Sequence, residues 1–402
     1  MSESRDRNLR LFQWFVPLYS AHLWVAVWFL YFLSYFSVAE VLQLEALYFF
    51  TVVVFEIPSG YLSDRVGRVV TLRLSAMMQA GSVAVFAFGP PEFWAFAMGQ
   101  MLWAGSFSFY SGTDSAFHFD ALQAADRIDE FPARQASIAR NAFIARAVSA
   151  LLGGAVAVFA LKLAYLASLA VAAVTVVLTF MMHEPERRYA PSILRQMSTV
   201  LGYLKRPFLA WLFLYAVLQT TLSHIPYEFT QPYIAVVLGE SGGDLLHTPW
   251  ISGIIIAIVA SVGAIAADRA IAIRDRLGAP GALVAATAVQ CILIAAMALS
   301  FNPWIVPLLA LRSVQSGIGQ VIVTTEITPR IGQSQRATYL SMQSLAGRLG
   351  FSLVLWMLGA IASGDAHKDA LESALDACLW LAAAAAVLLA LTRPFAKDTS
   401  ET

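Results

Sequence analysis

The sequence predicts an all-α polytopic membrane protein with twelve transmembrane helices in two six-helix bundles. Three observations lead there. Hydrophobic residues fill 59% of the 402 positions and charged residues only 13%, about half the charged share of soluble domains. Apolar runs long enough to cross hydrocarbon, which takes about 20 residues, recur on both sides of a polar middle. Lys and Arg collect in alternate connections, as cytoplasmic loops do.

Taken in order, the runs before the middle are 13–36, 42–62, 70–88, 93–120, 136–159 and 163–182. Those after it are 208–226, 250–267, 281–299, 304–325, 339–361 and 374–391. Gly89-Pro90-Pro91 and Asn302-Pro303 punctuate short turns. The middle, 183–207, carries Pro185, Pro191, Arg187, Arg188, Arg195, Lys205 and Arg206. It reads as a linker between domains 1–182 and 208–402, with an amphipathic helix on the membrane surface. With the N-terminus inside, nearly all of the 26 Lys and Arg fall on the inner side. Only Lys162 and Lys368 fall outside, while Arg146, Arg312 and Arg348 lie within spans. Twelve crossings with both termini cytoplasmic follow. The first run is too long for the core of a cleavable signal peptide and lacks a small-residue cleavage site, so none is expected.

The halves repeat faintly. Arg134 and Arg146 open the fifth span with the same spacing as Arg336 and Arg348 in the eleventh, and Asn141 aligns with Gln343. Asp268-Arg269 after Gly263 weakly echoes Asp64-Arg65 after Gly60. Parallel repeats of this kind characterise two-domain transporters.

One stretch organises the chain: Gly60-Tyr61-Leu62-Ser63-Asp64-Arg65-Val66-Gly67-Arg68, set between two apolar runs. Two glycines around an Asp-Arg pair suit a tight reversal. The stretch resembles the signature loop of the major facilitator superfamily at Gly60, Leu62, Ser63, Asp64, Arg65, Gly67 and Arg68, and departs from it at Val69. Ser111-Gly112-Thr113-Asp114-Ser115-Ala116, Glu56-Ile57-Pro58-Ser59-Gly60 and Gln231-Pro232-Tyr233 resemble strings in a bacterial branch of that superfamily. The resemblance implies that Asp64 latches the second span against the eleventh when the inner side is closed. It also implies that Arg68 pairs with an acid at the inner end of the fourth span, for which Asp120 is the candidate.

A charge near the bilayer centre is costly, so intramembrane charges face a cavity or each other. Glu56, Asp114, Arg146, Arg312 and Arg348, with His22 beside them, are the substrate or proton candidates. Asp114–Arg146 and Glu56–Arg348 are either structural ion pairs or working ones, and His22 is either packing or a proton carrier. His224 and Glu228 flank Pro226 as an outer gate or as interfacial groups. Arg312 lacks an evident acid: it either meets an anionic substrate, or snorkels outward or pairs with Glu228. Gly153-Gly154 with Ala145 and Ala150 give the fifth span a small-residue face for close packing. Ser149-Ala150 stand where the family's antiporter motif has Gly-Pro, and Gln100 is the nearest polar residue to the fourth-span arginine of many drug exporters.

No catalytic triad order, phosphate-cradling loop or metal spacing occurs, so neither an enzyme nor a metal or other cofactor is expected. The two cysteines, Cys291 and Cys378, sit in apolar runs. Arginine spread over every inner loop is a topology signal, not a nucleic-acid face. The expected partners are a small-molecule substrate, protons and the lipid bilayer, with the chain a monomer in the bacterial inner membrane. The expected function is secondary active transport of a small organic solute by alternating access, proton-coupled and exporting, with the site near midplane between the halves. The alternatives are an importer, or a transporter-like sensor or scaffold.

Overall fold

Hydrocarbon offers a backbone no hydrogen-bonding partner, so a chain that crosses it must satisfy its peptide groups within each segment. In the computed structural model, which describes residues 2–185, 202–240, 245–332, 335–362 and 366–396, all regular structure among the described residues is helical. The uninterrupted spans are the second (Val38–Arg65), third (Arg68–Phe88), fifth (Phe131–Ala157), sixth (Leu161–Met181), seventh (Pro207–Leu238), eighth (Thr248–Leu277), ninth (Ala279–Leu299), eleventh (Arg336–Ile361) and twelfth (His367–Thr392). Below, "inner" names the side to which the arginine bias assigns the cytoplasm.

The other three are broken, where the sequence predicts continuous runs. The first consists of Ser2–Tyr19, a 3₁₀ turn at Leu23–Ala26, and Trp28–Leu33. The break persists because Ser168 on the sixth span accepts the backbone N–H groups of Leu23 at 3.0 Å and Trp24 at 3.2 Å. The fourth divides into Phe93–Tyr110 and Thr113–Ala124. Ser111 turns extended there and Gly112 takes φ +80°, a left-handed value that favours glycine. The tenth begins as a 3₁₀ segment, Pro303–Ser313, interrupted by Pro307, before Val314–Arg330. By length and composition, nine helices among the described residues suffice to cross a membrane. The first, fourth and fifth crossings are not among the nine; the fourth is diluted by Gln100, Ser106 and Ser108, and the fifth carries Arg134, Arg140 and Arg146.

The signature stretch also differs from its expected shape. Gly60 to Arg65 continue the second helix, and the reversal is confined to Val66 and Gly67. Gly67, at φ +151°, makes the turn, so Gly60 contributes no hinge. The seventh span likewise runs on past its expected end to Leu238 with Pro226 and Pro232 inside it, a tolerance for proline common in membrane helices. Residues 186–201, with Arg187, Arg188, Pro191, Arg195 and the expected surface helix, lie outside the described residues, as does Lys397.

Two compact units result. The first comprises Met1–Phe36, Gln43–Ala190 and Gly242–Ala257, and the second Ser37–Leu42, Pro191–Ser241 and Ile258–Thr402. Leu9, Phe12, Phe15, Leu72, Phe117 and Leu122 centre the core of the first. Leu212, Tyr215, Leu283, Ile322 and Tyr339 centre that of the second. In the first unit the small-residue face of the fifth span meets backbone directly: Gly153 lies on the Leu23 carbonyl, Gly154 on Pro249, and Ala150 on Gly253.

A methyl group at Gly153 would overlap the Leu23 carbonyl, which is backbone and cannot swing aside. Gly153→Ala is expected to destabilise by about 1–3 kcal/mol, the scale of overpacking, and to lower the unfolding temperature in detergent. Gly81→Ala, whose Cβ would meet Leu102 at an ordinary 3.6 Å, is the matched control and should unfold as wild type does.

Candidate functional site

Three helix ends of the first unit converge at Arg68. Its Nη1 donates to Asp64 Oδ1 and to Ser63 Oγ, each at 2.7 Å, and its Nε to Asp120 Oδ2 at 3.4 Å. The second, third and fourth spans are thereby clasped through one guanidinium. Thr113 adds a 3.0 Å bond to Ser63. The start of the third span is capped from a distance, since Glu184 accepts the backbone N–H of Arg68 at 2.8 Å and of Val69 at 2.9 Å. A carboxylate at a helix N-terminus is favoured by unpaired N–H groups and by the helix dipole. Of the remaining gating candidates, Gly67 is close-packed, since a Cβ there would sit 2.8 Å from Glu184 Oε2. Arg65 lies over the Tyr61 ring at 5.9 Å.

The second unit carries an echo of this clasp. Arg274 Nη1 lies 3.5 Å from Glu326 Oε1, and Arg330 Nη1 lies 2.8 Å from Glu326 Oε2. Arg274 and Glu326 follow Arg68 and Asp120 at one offset, 206 residues (274 less 68; 326 less 120). The expected echo at Asp268-Arg269 is instead an exposed pair of neighbours at 3.5 Å.

Inside the first unit, aromatic and hydroxyl groups gather round His22. Tyr19 and Tyr110 stack at 4.1 Å and 9°. The Tyr19 hydroxyl lies 2.6 Å from Ser106 Oγ and 3.0 Å from Ser75 Oγ. Asp114, in the first turn of the fourth span's inner half, bears electrostatically on Tyr110 and Tyr19. His22 packs edge-on to Trp103 at 4.8 Å and stacks with Trp24 at 5.6 Å. Gln79 Nε2 donates to the Tyr19 carbonyl at 3.0 Å and lies 3.0 Å from His22 Nε2. A carbonyl only accepts, so the amide nitrogen must face both groups. His22 Nε2 is therefore the acceptor, with the ring proton on Nδ1.

Arg146 does not form an ion pair with Asp114. Its side chain is exposed and rests against Phe143 at 5.7 Å, while its charge still bears on His22 and Tyr110. Glu56 belongs to the first unit and Arg348 to the second. Glu228 is wholly buried within the seventh span, not interfacial, because that helix outlasts its expected end. One intramembrane acid escaped the sequence reading: Glu45, 8% exposed, with Oε1 2.5 Å from Gln100 Nε2. Its signal was present, a carboxylate inside the second apolar run, and Gln100 is its partner from the fourth. Among the described residues no three His, Cys, Asp or Glu side chains converge as a metal site.

Two bundles of spanning helices, each with charge clasps at the inner ends of its helices and polar groups held within its spans, have the build of a membrane transporter. The Major Facilitator Superfamily model matches residues 11–355, and the chain belongs to that superfamily, whose transporters act on small-molecule solutes. Solved structures of the same fold include the nucleoside transporter NupG, at TM-score 0.79 and 14% identity over 98% of this chain and 99% of that one. A bacterial homologue of the human lysosomal transporter Spinster, inward-facing and unoccupied, matches at TM-score 0.69 and 15% identity over 98% and 96%. A D-xylose–proton symporter matches at 0.63 and 15% over 98% and 96%. No curated protein matches the sequence. At these identities the structural likeness concerns the fold.

Outside the spans, Glu130 receives Arg127 at 2.7 and 2.9 Å and Arg134 at 2.6 Å. The hydrogen bonds from Arg127, then those from Arg134, hold its carboxyl down to about 2 from an ordinary 4.5. A depressed carboxyl stabilises fully above its unfolded pKa and stops doing so as pH falls through its folded one. Amide protection across 127–134, measured relative to the intrinsic exchange rate at each pH, should therefore be high and flat above about pH 4.5 and fall progressively toward about pH 2. Glu130→Gln should show low protection at every pH; if it stays as protected as wild type, the clamp is not what orders this segment.

Proposed function

We propose that this chain is a secondary active transporter that moves a small organic solute by alternating access, driven by protons, in the bacterial inner membrane with both termini cytoplasmic. The observation that carries the reading is the clasp at Arg68 and its echo at Glu326. Ion pairs at part-exposed positions are individually weak, about 0–1 kcal/mol. They suit a gate that must open and close in every cycle, and they stand where helix ends would separate. The bodies that move are the halves 1–182 and 208–402, joined by 183–207. A nucleoside transporter and a proton symporter of the same fold are in keeping with this reading.

The protein's part in coupling is assigned to its intramembrane acids. Asp114 adjoins the Tyr110–Tyr19–Ser106 hydroxyl line, Glu56 shares its span with the clasp, and Glu45 rests on an amide that can bond either protonation state. His22 accepts from Gln79 as it stands, so the acids come first in line for a proton.

Two measurements in proteoliposomes test the proposal. Asp64→Asn keeps size and removes the charge that meets Arg68; it should cut transport at least about tenfold, on the scale of one lost charge-assisted hydrogen bond, without loss of folded protein. Unchanged transport would remove the clasp from the mechanism. With an imposed pH gradient, uphill transport should vanish in at least one of Glu45→Gln, Glu56→Gln and Asp114→Asn while solute exchange persists. Uphill transport surviving in all three would exclude these acids as the proton site. The sign of the flux reads out the expected direction, export.

A further inference from the structure

One charge in the second unit stands apart. Arg312 ends the 3₁₀ turn of the tenth span, is 7% exposed, and makes no hydrogen bond or ion pair among the described residues. Its Nε–H is enclosed without an acceptor. Burial to this degree rules out the expectation that the side chain snorkels to the membrane surface. Glu228 bears on it electrostatically, but no hydrogen bond joins the two through Nε.

We propose that Arg312, with Tyr227 and His224 beside it and Phe351 beyond His224, forms a binding site for an organic anion: a carboxylate carried on an apolar or aromatic body. Arg keeps its proton under all cellular conditions, and its planar fork matches a carboxylate with two parallel bonds. Enclosing its Nε–H with nothing to meet it is costly, and intramembrane arginines of this kind mark substrate paths. The surroundings define the ligand's remainder. The guanidinium lies over the Tyr227 ring at 5.0 Å, which fixes its plane and closes one face. His224 lies 5.1 Å from Phe351 and 6.4 Å from Tyr227, ring to ring. Its Nδ1 is committed to the Thr220 carbonyl at 2.6 Å. Arg348, from the eleventh span, bears on the same imidazole as Arg312 does. Glu228, wholly buried beside Tyr227, lowers the cost of keeping Arg312 inside when no ligand is bound, and leaves its fork open.

The site deepens the transport reading, on which only the fate of the bound anion rests, so the test begins with binding. Full-length protein in detergent is titrated with acetate, benzoate and 2-naphthoate, each beside its neutral amide, and followed by calorimetry and thermal unfolding. At least one carboxylate should bind about tenfold or more tightly than its amide, the margin of charge-assisted bonds over neutral ones. Arg312→Lys keeps the charge and loses the fork, and should weaken that carboxylate about tenfold. Arg312→Gln should erase the preference; if it fails to fold, Arg312→Lys decides alone. Carboxylates that bind no better than their amides, or as tightly to Arg312→Lys as to wild type, overturn the proposal. Carboxylate binding without any solute flux in liposomes would refute transport and leave the anion site standing. Flux of neutral or cationic solutes with no Arg312-dependent carboxylate binding would do the reverse.

Discussion

Hydrocarbon offers no hydrogen bonds, and that constraint shapes this molecule more than any single contact does. Wherever a span leaves helical geometry, the protein itself must supply the missing partners. The break in the first span survives because Ser168 takes two backbone donors. The Gly153 surface allows the fifth span close enough to seal the same break from the other side. Polar side chains obey the same rule: Gln79 serves Tyr19 and His22 together, Gln100 serves Glu45, and Gln290 donates to the Leu222 carbonyl at 2.8 Å. Among the described residues, Arg312 Nε, like Gln79 Oε1 and Gln290 Oε1, is a buried polar atom that no hydrogen bond reaches.

The charge clasps answer a different demand. Arg68 on the third span meets acids from the second and fourth, and Glu326 on the tenth meets Arg274 from the eighth and Arg330 from its own helix, so each unit ties helix ends through one central charge. One central group tying several helix ends can release them together. That is more useful in a moving protein than several independent pairs of the same total strength.

The fold was legible from the chain because two signals reinforce each other: membrane-length apolar runs count the crossings, and arginine placement checks the count. The Arg68–Asp120 pair was legible because a signature stretch marks Arg68, whereas Asp64 was expected to latch the second span against the eleventh and its bond to Arg68 was not foreseen. What stayed hidden depends on partners remote in sequence. Nothing near Arg68 announces that Glu184 will cap its helix, and nothing near Arg274 announces Glu326. Breaks inside apolar runs were invisible for a related reason, since the hydrophobic average does not register that Gly112 takes φ +80°. Glu45 escaped because its neighbours in the second span dominate the average, and only its buried amide partner distinguishes it.

The joint at Ser111-Gly112 makes the inner half of the fourth span a lever. Nothing lies within 4 Å of where a side chain on Gly112 would sit. The twelve residues beyond it form one rigid rod. Asp114 rides close to the pivot, and Asp120 about 12 Å out along the axis at 1.5 Å per residue. A tilt of about 10° would hardly disturb the first and would carry the second sideways by roughly 2 Å. From a starting separation of 3.4 Å, such a swing ends its hold on Arg68. A small tilt at this joint would thus be magnified at the clasp, by leverage along a single piece of helix.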